Sequence, residues 1–91
     1  MKRYVIERRI PGIGGFDTEQ LHAAAQRSTD AIRQLGFAIQ WEHSYLVADM
    51  SYCIYLAIDE AVIRKHAELS GFPANRITEV ATILDPTWAK S

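Results

Sequence analysis

Hydrophobic and polar residues alternate with a period of two near the start of the chain, which predicts a β-strand. Over residues 3–10, Tyr4 and Ile6 fall on one side of the strand, and Val5 and Glu7 fall on the other. The segment PGIGG that follows is rich in turn-forming residues. The first strand is therefore expected to end there.

The pattern then changes to a helical period, and the change begins at a helix start signal. Asp17 is predicted as the N-cap residue, and Gln20, three positions later, completes a capping box. Gly36 is predicted to end the helix, because glycine readily adopts the left-handed conformation that stops a helix. Residues at helical spacing between these ends are expected to face the core: Leu21, Ala24, Ser28, Ile32 and Leu35.

Two further strands are predicted on either side of a short turn at Ala48-Asp49. Residues 37–47 form the outgoing strand and residues 50–58 the returning one, and both are rich in aromatic and β-branched residues. Strict alternation places four residues of the outgoing strand on one side: Trp41, His43, Tyr45 and Val47.

A second helix and a final strand complete the order of elements. Asp59 is predicted to cap the helix, Gly71 to end it, and Pro73 to prevent its continuation. Residues 77–84 are predicted as the last strand, which Asp85-Pro86 ends, and residues 87–91 as a tail.

The order βαββαβ predicts an α+β fold of the ferredoxin-like type, with a four-stranded antiparallel sheet and both helices on one face. The chain of 91 residues has the length of one domain, so residues 1–91 are assigned to a single domain. The word ferredoxin describes the topology only. One cysteine cannot hold an iron–sulfur cluster within one chain.

This topology leaves the second face of the sheet uncovered, and the sequence makes that face apolar. An antiparallel face in contact with water is normally polar. Here both sides of the hairpin strands are largely hydrophobic, and hydrophobic residues make up 48% of the chain. A second copy of the same sheet is the simplest cover, so we expect a homodimer.

Charge and composition exclude several classes of partner. The formal net charge is −1 and no basic stripe is present, so nucleic acid is not expected as a partner. No apolar run approaches the roughly 20 residues that span a membrane, and the start MKRYVIERRI lacks the apolar region of a signal peptide. A single cysteine cannot form an internal disulfide, which fits a reducing, cytoplasmic setting.

The side chains best suited to bind a late divalent metal are three histidines and one cysteine: His22, His43, His66 and Cys53. They form no compact ligand motif such as CxxC, HxxxH or HExxH. Whether His43 and Cys53 share a face depends on the register of the central hairpin. An odd-length connection places His43 on the face of Tyr55. An even-length connection pairs His43 with Ile54, and Cys53 with Ser44. The sequence leaves both registers open.

Each candidate ligand also has a structural interpretation. His43 can serve as a hydrogen-bonding residue at an interface, and Cys53 as a small buried hydrophobe. His66 lies near the C-terminal end of its helix, where the helix dipole favours a positive ring, and His22 is expected to face solvent. A Cys/His pair needs a third, orienting group to act as nucleophile and base. None is recognisable, so the residues favour a protein without enzymatic activity while leaving an enzyme open.

Several segments together resemble a known family. They are YVIER near the start, WEHSY in the hairpin, the long run CIYLAIDEAVIRKHAELSGFPANRITEV, and the closing ILDP. In their order and spacing, the chain resembles the small bacterial nickel-binding ferredoxin-like proteins over nearly its whole length. Where relatives tend to read Ala-Pro-Asp-Glu before the second helix, this chain reads Ala-Ile-Asp-Glu. The helix start should remain intact, because Asp59 still caps it.

The resemblance implies a ferredoxin-like homodimer that binds nickel or a similar divalent metal, for sequestration, with no established reaction. The matching positions with ligand chemistry are His43, Cys53 and His66, and these are the predicted metal ligands. Two other hypotheses stay open. One is a dimeric α+β barrel-type enzyme that acts on an apolar small molecule between the sheet and the helices. The other is a structural or regulatory dimer without a metal.

Overall fold

A computed structural model describes residues 1–90, and it contains the six predicted elements in the predicted order. The strands are β1 (Lys2–Arg9), β2 (Ile39–Val47), β3 (Met50–Ala57) and β4 (Arg76–Glu79), and the helices are α1 (Thr18–Leu35) and α2 (Glu60–Ser70). Short 3-10 helices lie at Ile13–Gly15, Gly36–Ala38 and Pro86–Trp88.

The four strands form one antiparallel sheet in the order β2-β3-β1-β4. The two central strands β1 and β3 are not consecutive in the chain. Helix α1 connects β1 to β2 and helix α2 connects β3 to β4, and in each case another strand lies between the two in the sheet. Both helices pack on the same face of the sheet, where Ile32 of α1 and Ile63 of α2 join the core formed by Ile6 and Tyr55. The predicted ferredoxin-like α+β fold is therefore confirmed.

The helix ends follow the local signals in the sequence. The Asp17 side chain accepts a hydrogen bond from the backbone of Gln20, whose side chain in turn accepts one from the Asp17 backbone. Asp59 caps α2 through the backbone of Val62, and Gly71 ends α2 with a φ of 79°. The predicted capping box and both predicted caps are confirmed, and they need only residues close in sequence.

The last strand is shorter than predicted. β4 ends at Glu79 rather than at Leu84, and the chain continues as exposed backbone. The reason lies in its partner strand, because Glu79 already pairs with Tyr4 near the beginning of β1. Only Lys2 and Arg3 of β1 remain beyond that point, and Val80 already donates a hydrogen bond to the Arg3 carbonyl. Residues 82–84 would therefore have no part of β1 to pair with. The tail exposes 82% of Leu84 and 64% of Trp88.

The expected alternation in β2 is also wrong at one point. A β-bulge at Glu42 separates Trp41, which pairs with Tyr55, from His43, which pairs with Ile54. The extra residue reverses the facing of the strand on either side of it. Trp41 therefore packs half-buried under the helices, and His43 lies on the opposite face of the sheet, together with Tyr45 and Val47.

Neither helix within residues 1–90 is long and apolar enough to cross a lipid bilayer.

Candidate functional site

The sequence left two registers open for the central hairpin. The structure has the register with the even-length connection. Its two-residue turn pairs Val47 with Met50, and the pairing continues to Ser44 opposite Cys53. Beyond Ser44, His43 pairs with Ile54. Directly paired residues share a face of the sheet, so His43 and Cys53 lie on opposite faces.

The three predicted metal ligands occupy separate environments. His43 is exposed on the face of the sheet without helices, with its ring edge-on to Tyr45 at 5.0 Å between centroids. Cys53 and His66 are buried on the helix side of the sheet. Within residues 1–90, no group of three or more His, Cys, Asp or Glu side chains is placed to hold a metal ion. One protomer thus does not bring His43, Cys53 and His66 together, and their role as ligands stays a prediction.

His66 is fully buried between the two helices and the sheet. Its Nε2 lies 3.2 Å from the hydroxyl and 3.3 Å from the carbonyl oxygen of Ser28, and its ring packs 5.1 Å from the ring of Tyr55. Burial, assisted by the charge of Arg8, lowers the pKa of His66 from 6.5 to about 4. The expectation of a positive ring favoured by the helix dipole is wrong, because desolvation outweighs the dipole here.

Tyr55 and Ser28 extend this buried polar cluster. Their hydroxyl oxygens lie 3.0 Å apart. Burial raises the pKa of Tyr55 above its ordinary value of 10.0, although the Ser28 hydrogen bond and the Arg8 charge act in the opposite direction. At neutral pH the phenol is protonated and the imidazole is neutral. The cluster can therefore donate and accept hydrogen bonds, but its lowered pKa makes the His66 imidazole a weak base for proton abstraction near pH 7.

A cavity of about 250 Å³ opens beside this cluster, between α1 and the sheet. Most of its wall is apolar, including Ile13, Phe16 and Leu46, and Trp41 forms part of one side. The polar groups in the wall are few: Arg8, Ser28, Ser44, Ser51, Cys53 and Tyr55. Cys53 contacts the Ser51 hydroxyl at 3.0 Å, so the thiol behaves as the buried small side chain that its position in the strand suggested.

Arg8 is the residue of this cavity that sequence reasoning missed. It is only 2% exposed, although arginine is seldom buried without a partner. One of its terminal nitrogens, Nη1, donates a 2.7 Å hydrogen bond to the carbonyl of Pro73. The alternation that predicted Tyr4 and Ile6 on one side of β1 also places Arg8 there. That signal was present in the sequence.

The face of the sheet without helices, here called the open face, is apolar at its centre and charged at its rim. Half-buried or exposed apolar side chains cover the middle: Val5, Tyr45, Val47, Tyr52, Ile54 and Leu56. Arg3 pairs with Glu42 at 2.7 Å, and Arg76 pairs with Glu7 at 3.7 Å. An apolar centre with a polar rim is the usual anatomy of a protein interface.

Comparison with known proteins agrees with this architecture. Residues 4–80 match the family described as nickel responsive protein, SCO4226-like. The crystal structure of SCO4226 from Streptomyces coelicolor A3(2) superposes with a TM-score of 0.70 at 27% sequence identity, covering 90% of this chain and 99% of that one. No curated protein was found to match the chain. Because the family match spans most of the sequence, the chain belongs to the SCO4226-like family of nickel-responsive proteins.

Proposed function

We propose that the protein is a homodimer that binds nickel or a similar divalent metal, with His43 as the ligand that each protomer presents on its open face. The observation that carries the proposal is the position of His43, an exposed imidazole on an apolar surface of a protein from a nickel-responsive family. We also propose that the metal is sequestered in the cytoplasm, a role compatible with a member of a nickel-responsive family.

The open face supports the dimer. Tyr45 is 59% exposed and Val47 is 55% exposed, and they stand beside half-buried Tyr52 and Ile54. Contiguous apolar surface of this kind is normally covered by a partner. At the rim, Arg3 and Arg76 are already paired with Glu42 and Glu7, so two copies could meet without burying these charges unpaired. A two-fold interface would also repeat every side chain of the face, including His43.

The positions of the other histidines support His43 as the ligand. His66 is buried, and its Nε2 is engaged by Ser28. His22 is exposed on α1, away from the apolar face. Cys53 lies across the sheet from His43 and beside the charged Arg8, whose guanidinium would oppose a divalent cation. We therefore narrow the predicted ligand set to His43, supplied twice in a dimer, and assign Cys53 and His66 to the core.

Nickel titration of His43 variants tests the proposal. We expect His43→Ala to weaken nickel binding by at least about tenfold, or about 1.4 kcal/mol, because imidazole is a preferred ligand for this metal. His22→Ala is the matched control, since His22 is also exposed but lies on another surface. Binding should also weaken as the pH falls, because metal binding requires a deprotonated ligand. Unchanged affinity in His43→Ala would refute the proposed ligand.

Light scattering tests the dimer separately. The wild-type protein should have twice the chain mass of 10.3 kDa at micromolar concentration. Ile54→Lys places a charge in the middle of the open face and should yield monomers, whereas Glu19→Lys on α1 should leave the dimer intact. A dimer that survives Ile54→Lys would place the interface elsewhere. A dimer that forms but takes up no nickel would favour the structural or regulatory hypothesis.

A further inference from the structure

We propose that the cavity between α1 and the sheet binds a small apolar molecule carrying a carboxylate, and that the Arg8 guanidinium is its anchor. This site is independent of the nickel proposal, because it lies on the helix side of the sheet and His43 lies on the open face.

The first observation is a buried charge without a counter-ion. Arg8 is 2% exposed, and it forms no ion pair with any Asp or Glu within residues 1–90. Its Nη2 atom is buried and has no hydrogen-bond partner among the described residues. Arginine cannot lose its proton to relieve this situation. A buried guanidinium in this state is strongly disfavoured unless an anion pairs with it.

The second observation is the way in which the guanidinium is held. It lies 6.0 Å from the ring centroid of Tyr55 and 5.9 Å from that of Phe72, and both rings line the cavity. Nη1 donates a hydrogen bond to the Pro73 carbonyl. This nitrogen therefore has a structural role, because it holds the chain segment that follows α2. Nη2 has no hydrogen-bond partner among the described residues. An arginine held between two aromatic rings and by one hydrogen bond loses little further freedom when it binds a carboxylate.

The third observation is the size and chemistry of the cavity. Its volume is about 250 Å³, and a cavity of about 150 Å³ is known to accept benzene. One ring, or a short alkyl chain, with a carboxylate therefore fits. Ile13, Phe16 and Leu46 supply an apolar wall, while the hydroxyls of Ser28 and Tyr55 are neutral and would not repel an anion. Few polar groups in an apolar cleft are typical of small-molecule sites.

Titration with simple carboxylates tests the proposal in the presence of EDTA, so that metal binding plays no part. The probes are benzoate, cyclohexanecarboxylate and hexanoate, and the neutral control is benzamide, which has the shape of benzoate without its charge. Trp41 lines the cavity, so its fluorescence reports binding in a Trp88→Phe background. We expect saturable quenching and a raised melting temperature with at least one carboxylate. Benzamide should bind at least about tenfold more weakly than benzoate.

Two variants identify the site. Arg8→Met removes the charge and should abolish carboxylate binding. Ala24→Leu fills the cavity from α1 and should also abolish it, whereas Ala23→Leu, one residue away and outside the cavity, should not. If Arg8→Met does not fold, the comparison of Ala24→Leu with Ala23→Leu decides whether the carboxylate binds in this cavity. The proposal is overturned if none of the three carboxylates binds, if benzamide binds as well as benzoate, or if Ala24→Leu binds like Ala23→Leu.

Discussion

The buried, neutral His66 makes the stability of the protein depend on pH in a defined direction. In the unfolded chain a histidine has a pKa near 6.5, and in the folded protein the pKa of His66 is about 4. The unfolded state therefore binds a proton more readily than the folded state between these values. Stability is fully present above about pH 6.5 and is lost as the pH falls toward 4.

The size of this loss follows from the difference in pKa. A difference of about 2.5 pH units corresponds to about 3 kcal/mol once both states are titrated, at about 1.4 kcal/mol per unit. At pH 5 the unfolded histidine is almost fully protonated and the folded one is almost neutral, so the loss there is about 2 kcal/mol. That is a large share of the stability of a domain of this length.

Urea denaturation at pH 7.5 and at pH 5.0 measures the effect. The matched variant is His66→Gln, which keeps an amide able to donate to the Ser28 carbonyl but cannot titrate. Wild type should lose about 2 kcal/mol more than the variant between the two pH values, while the contributions of surface carboxylates cancel in the comparison. Protein concentration is held constant, because dimerisation would otherwise change the apparent stability.

If wild type and His66→Gln lose the same free energy of unfolding between the two pH values, the conclusion that His66 is buried and neutral is refuted. Proton NMR of the folded wild type provides a second measurement that does not depend on the variant. The imidazole signal of His66 should titrate near pH 4, whereas a midpoint close to 6.5 would contradict the structure directly.

Three further substitutions test the packing and the local structure. Trp41→Ala should cost about 3 kcal/mol, at the lower end for a large aromatic because Trp41 is half-buried, and a loss under about 1 kcal/mol in urea denaturation would show that it contributes little to the core. Gly14→Ala should destabilise the protein by about 1–3 kcal/mol, because a Cβ there would lie 2.5 Å from the backbone nitrogen of Ala48. The control is Gly15→Ala, whose Cβ would meet no atom within 4 Å. Equal melting temperatures for the two variants would contradict this prediction. Asp17→Ala should cost about 1 kcal/mol through loss of the helix cap, and Asp17→Asn should recover most of it in the same thermal assay.

The sequence by itself determined the elements and their order, because these depend on residues that are close in the chain. The capping box of α1, the Asp59 cap of α2 and the glycine stops need contacts three or four residues apart, and strand alternation needs only the period of two. From the βαββαβ order, the handedness of crossover connections restricts the topology to the observed sheet. The apolar open face could be anticipated for the same reason, since Tyr52 and Ile54 alternate with Cys53 and Tyr55.

The tertiary structure alone decided which candidate residues meet. The bulge at Glu42 reverses the facing of β2, and the even hairpin register separates His43 from Cys53 by the thickness of the sheet. Neither is visible in a local pattern, because both follow from how two strands pair. The neutral state of His66 and the absence of a counter-ion for Arg8 among residues 1–90 likewise follow from burial. The pKa of a side chain, and whether a charge finds a counter-ion, depend on the neighbours that packing brings together. Those neighbours are distant in the sequence and cannot be read from it.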